Sequence, residues 1–152
     1  MSWLYFLVRV ISALSCIVVG RLGEDVKQCE ARYGGVAKRK DNTIQFLKAG
    51  LVVACVFEEG KCVQIHYHSA TFEGGVPTPL TEGQIARLLK SYGDKWEVLK
   101  QGDNPFLTSW ITDALLAVWD EKDRVLTIMT QERITQQVNQ QREKEQKNLE
   151  GF

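Results

Sequence analysis

The chain has 152 residues, with 19 Lys+Arg balanced by 19 Asp+Glu, two His and four Cys. That length supports one domain with a real core and is short for two. Zero formal charge argues against nucleic acid as a partner, since such a binder needs a basic face to neutralise phosphates. A 44% apolar content excludes a disordered chain.

Residues 1–20 hold 15 apolar side chains and one charge, Arg9. The run Val10–Val19 has the length of a signal-peptide apolar region and is too short to cross a bilayer. Three readings stay open: cleavage after Gly20, lipidation at Cys16 within Ala13-Leu14-Ser15-Cys16, and an uncleaved anchor using both apolar runs around Arg9. All three place the rest of the chain outside the cytoplasm, secreted or periplasmic. Contact with a membrane is then expected only through residues 1–20.

Residues 21–130 form the expected domain. Its first helix carries Val26, Cys29 and Tyr33 as a thin apolar stripe and stops at Gly34. Strands are predicted at Thr43–Leu47, Leu51–Phe57 and Cys62–His68, the last two joined by a turn through Glu59-Gly60. Phe72–Pro79, with Gly74, Gly75, Pro77 and Pro79, reads as a linker. The second helix starts at a capping box, Thr81-Glu82-Gly83-Gln84, with Leu80 and Ile85 placed as a hydrophobic staple. Ile85, Leu88, Leu89 and Tyr92 share a face, and Gly93 ends it. Strands follow at Lys95–Leu99, Trp110–Trp119 and Val125–Met129.

A single offset relates the two helices: Val26 falls on Ile85, Cys29 on Leu88, Tyr33 on Tyr92 and Gly34 on Gly93. The sequence therefore predicts an α+β fold, a tandem αβββ repeat with an antiparallel sheet and both helices on one face. Pairing Phe57 with Cys62 sets an expected core face of Val52, Ala54, Val56, Val63, Ile65 and Tyr67. Val53, Cys55, Phe57, Cys62, Gln64, His66 and His68 would then lie on the other face, and a one-residue slip would exchange the two. In the second half Leu116, Val118, Val125 and Met129 sort to one side, with Leu115, Ala117, Trp119, Leu126 and Ile128 on the other. Residues 131–152 are rich in Gln, Glu, Lys and Arg and read as a polar C-terminal helix. Ile134 and Val138 share a face that docks its first turns.

Export leaves Cys29, Cys55 and Cys62, an odd number, with their disulfide pairing open. The chain contains no CxxC. His66 and His68 share a strand face about 6–7 Å apart, a spacing that suits one metal ion. Cys62 is about 13 Å from His66 along the strand, and no third ligand is evident, so these two are weak metal candidates. No GxSxG, HExxH, Walker loop or GxGxxG occurs, and neither a catalytic residue nor a cofactor is predicted. Phe57 and Trp119 fall on the face expected to lie away from the helices. With Trp110, His66 and His68 they make up the candidate binding surface.

The segment Cys29-Glu30-Ala31-Arg32-Tyr33-Gly34, the Phe46–Tyr67 hairpin and Leu80-Thr81-Glu82 resemble a family of small bacterial exported proteins, over roughly residues 24–130 and the Leu149–Phe152 ending. That resemblance brings no activity with it. More loosely, the helix-then-meander pattern is similar to the beta-lactamase-inhibitor-protein-like and small outer-membrane-assembly lipoprotein folds. Those resemblances imply a sheet and loops that meet another protein. The expectation is an exported, noncatalytic module that binds a protein partner or itself. The alternative is a metal- or thiol-dependent enzyme using His66, His68 and a cysteine.

Overall fold

The computed structural model describes residues 21–99 and 104–149. The export signal or anchor expected in residues 1–20 lies outside the described residues. Across the described residues the fold is α+β, with an eight-stranded antiparallel sheet and three helices. Helix α1 (Val26–Tyr33) leads into strands β1 (Val36–Lys40), β2 (Thr43–Lys48), β3 (Leu51–Glu58) and β4 (Lys61–Ser69). A short hairpin, β5 (Phe72–Glu73) and β6 (Val76–Pro77), precedes α2 (Glu82–Lys90). Then come β7 (Glu97–Leu99), β8 (Leu107–Ile111), β9 (Leu115–Asp120), β10 (Val125–Thr130) and helix α3 (Gln131–Leu149).

The strand order is β1-β2-β3-β4-β10-β9-β8-β7. Each half is thus a helix followed by a four-stranded meander, and the last strands of the two meanders pair in the middle of the sheet. Three strands per half were expected, and the difference has two sources. β1 is a wholly exposed edge strand without the alternation that marks a buried face. The segment expected as one strand, Trp110–Trp119, is two strands. The Thr112 hydroxyl accepts from the N–H groups of Ala114 and Leu115 and folds the chain back between them.

Both early helices are capped by the same reciprocal device. Asp25 accepts from the Gln28 N–H while the Gln28 side chain accepts from the Asp25 N–H, and Thr81 and Gln84 do likewise. Tight turns at Ala49-Gly50 and Glu59-Gly60 have positive φ at both residues, the geometry that suits a twisted two-residue hairpin.

The expected faces of β3 need correction. Phe57 does pair with Cys62, but the next pair is Val56 with Gln64, so Val63 is a bulge. The extra residue brings Val53, Cys55 and Phe57 into register with Cys62, Ile65 and Tyr67 on one buried face. Val52, Ala54 and Val56 lie with Gln64, His66 and His68 on the other. The second half sorts as expected, with Leu115, Ala117, Leu126 and Ile128 in the core. That core also takes Cys29 and Tyr33 of α1, Ile85 and Leu89 of α2, and Tyr92 beyond it. Helix α3 meets the opposite face. Arg133 pairs with Glu58 at 2.6 Å and the Gln137 amide donates to Gln64 at 3.1 Å. Among the described residues no helix is long and apolar enough to cross a membrane.

Candidate functional site

The corrected register gathers three cysteines. Cys55 is in the middle of β3 and Cys62 near the start of β4, diagonal to one another on the core face. Cys29 comes down onto them from α1. Their sulfur atoms all lie within 4.8 Å of one another, all three thiols are free, and none is more than 1% exposed. Among the described residues this is the one group of three metal-ligating side chains that converges so closely.

The backbone clamps the cluster. Gly23 N–H donates to the Cys62 carbonyl and Cys62 N–H to the Glu24 carbonyl, so the strand start is tied to the segment entering α1. The Glu24 carboxylate takes the Arg32 guanidinium, with Nε at 3.2 and 3.1 Å from its two oxygens. One of those oxygens is 4.0 Å from the Cys29 sulfur. Hydrogen bonds from Cys55 and then Cys62, helped by the Arg32 charge, hold the Cys29 thiol well below its ordinary value against the opposing effect of burial. The same hydrogen bonding, together with burial, pushes Cys55 up. Cys62 rises as well, because its bond to Cys29 and its burial outweigh the bond from Cys55.

Beside it stands a second buried cluster. The Tyr67 hydroxyl, from β4, is 3.2 Å from that of Tyr33 and 2.7 Å from that of Tyr92. Arg21 donates to Tyr67 at 3.2 Å, and its guanidinium carbon is 5.1 Å from the centre of the Tyr92 ring. Burial, with the neighbouring hydroxyls, raises the pKa of Tyr33 and Tyr92, so both stay protonated.

The five residues expected to form a binding surface do not assemble into one. Phe57 is in the core, and Trp110 and Trp119 pack against it from the helix-covered face. The bulge accounts for Phe57. The two tryptophans sort with Ala117, which the helices cover. His66 and His68 are on the opposite face from all three cysteines. The sheet therefore separates the two halves of the expected His–Cys constellation. His66 is bonded at both ring nitrogens, to Thr127 Oγ1 at 2.9 Å and to the Gln64 amide at 3.2 Å. Burial, then the nearby His68, pushes its pKa down. His68 Nδ1 donates to the Ser69 carbonyl at 2.8 Å, and its ring meets Phe72 edge-on.

The two sheet edges differ in a way the sequence reading missed. β1 carries Lys38, Arg39 and Lys40, all exposed. A shallow hollow of about 300 Å³ beside it is lined by Lys38, Lys40, Asp41, Thr43 and Gln45. β7 carries Val98, 67% exposed, and Leu99, 37% exposed, with Phe106 at 54% near the start of β8. Val98 pairs with Trp110, so it lies on the helix-bearing face yet beyond the cover of either helix. The signal was in the sequence, as the apolar pair Val98-Leu99 within the expected strand Lys95–Leu99.

No family model matches the chain, and no curated protein does. Among solved structures, a cysteine-rich secretory protein from Staphylococcus aureus subsp. aureus Mu50 is similar over 74% of this chain. The match covers 46% of that protein, with 12% identity and a TM-score of 0.40. The chain thus spans under half the length of this neighbour, and at that level the likeness carries no argument about fold or function.

Proposed function

We propose that this is an exported, noncatalytic protein that binds another protein by accepting one of its extended segments along the edge of β7. The observation that carries the reading is the contrast between the two sheet edges. An edge strand exposes unpaired N–H and C=O groups, and folded proteins guard such edges with charge. β1 is guarded by three successive cations. β7 carries a single charge, Glu97, and next to it Val98 and Leu99 stand exposed on opposite faces of the edge. A partner strand would satisfy the backbone groups and cover those side chains, the recognition mode known as strand addition. Export is part of the same proposal, and so is kinship with small bacterial exported proteins. It is supported by the apolar run in residues 1–20.

A photo-crosslinking side chain placed at Val98 in the exporting cell should trap a discrete protein, and one placed at Lys38 should not. Val98→Lys should weaken the capture at least tenfold while the variant stays folded. Equal crosslinking at both edges, or none at Val98, overturns the edge assignment. Capture of a second copy of this chain would make the partner itself. Sequencing the amino terminus of material recovered outside the cytoplasm tests export, and recovery only from the cytoplasm overturns it.

A further inference from the structure

We propose that Cys29, Cys55 and Cys62 form a closed three-sulfur site for a thiophilic d10 cation, with monovalent copper as the ion of matching coordination number. The cluster's geometry leads there by steps. Three ligand atoms of one soft type come from three different elements and meet at one point in the interior. An ion about 2.3 Å from each of three sulfurs, the distance usual for zinc thiolates, places those sulfurs about 4 Å apart. Spacings within 4.8 Å reach that value with a small contraction.

Among the described residues the site offers no fourth ligand in place. The Glu24 carboxylate is engaged by Arg32 and sits 4.0 Å from Cys29 alone among the three sulfurs. All three cysteines are closed to bulk solvent. Zinc takes four ligands in almost all structural sites, whereas thiolate-bound monovalent copper is satisfied by three. Binding is ligand exchange without a redox change. Sulfur–metal bonds form, and protons still held on sulfur leave to solvent. A disulfide would use two of the three sulfurs and strand the third, and Cys55 and Cys62 are diagonal rather than opposed.

The test uses the full chain, reduced and free of oxygen. Monovalent copper delivered from a competing chelator should bind at one equivalent, with a sulfur-to-copper absorption in the ultraviolet. X-ray absorption should report three sulfur neighbours. Cys55→Ala should lower affinity at least a hundredfold. Because that change could also loosen the core, Cys29→Ala and Cys62→Ala are compared with it, each checked for its far-ultraviolet dichroism. His66→Ala and His68→Ala should bind copper as the parent does. The ion should also raise the melting temperature of the parent and not of the cysteine variants. Failure to bind copper overturns the proposal. So does a copper site with nitrogen neighbours lost in the histidine variants, or tetrahedral zinc binding in preference to copper. None of these outcomes bears on the β7 edge.

Discussion

Phe57 lies directly opposite Cys62, whereas its neighbour Val56 faces Gln64, and Val63 is the residue left over. That single unpaired residue decides which side of β3 is buried. Val53→Asp places a charge at a site 2% exposed and should cost more than about 4 kcal/mol. Val52→Thr, half-buried on the other face, should cost less than about 1 kcal/mol. Urea denaturation of both variants checks this. The reverse order of costs would restore the unbulged register.

Tyr67 is the shared partner of Tyr33, at the end of α1, and Tyr92, just beyond α2. Tyr67→Phe leaves two buried hydroxyls short of a partner and should destabilise by about 1–3 kcal/mol. Tyr33→Phe should cost less in that background than in the parent, since the bond it breaks is already gone. A double-mutant cycle measures the coupling, and additive effects would contradict the network.

The caps give a smaller effect. Thr81→Ala removes the acceptor for the Gln84 N–H and should cost about 1 kcal/mol. Asp25→Ala should cost a similar amount at α1. Thr81→Ser should recover most of the loss, as read from thermal or urea midpoints.

His66 sets a pH dependence whose sign is fixed by its burial. Its pKa in the fold is below the ordinary 6.5, so the unfolded chain takes up a proton first as the medium is acidified. The stability that goes with the neutral ring is complete above 6.5 and declines as pH falls from there toward the lower folded pKa. The ring's environment is Gln64 and His68 on its own strand and Thr127 on β10, with no carboxylate among these neighbours. His66→Gln should flatten the fall in urea midpoint between about pH 7 and pH 5 relative to the parent. An unchanged slope would place the titration elsewhere.

The helices were legible because their signals are local. A capping box and a stripe at helical spacing lie within a dozen residues, and Thr81 and Gln84 meet as the sequence predicts, although α2 ends at Lys90, before the expected stop at Gly93. The pairing of Phe57 with Cys62 was legible for the same reason, since the Glu59-Gly60 turn fixes it. The register beyond that pair was not legible. No residue type announces a bulge at Val63, and both faces of β3 are apolar enough to be core. The cysteine cluster was hidden by that step alone, because the unbulged register turns Cys55 and Cys62 away from Cys29. β1 was missed because its five side chains are all exposed and leave no alternation to read. The break at Thr112 was readable in principle, as Thr112-Asp113 is turn chemistry within an apolar run.

The pairing of β4 with β10 governs the order in which the chain can fold. β4 ends at Ser69, and the strand that covers its open side begins only at Val125. Until then an emerging chain holds a four-stranded ribbon whose bare margin is the apolar segment around Ile65 and Tyr67. Contacts this distant along the chain form late and set the pace of folding. A chain truncated before Val125 would keep that margin bare and associate through it. The latch of this molecule is therefore its penultimate element, and α3 can settle across the back of the sheet only after it has closed.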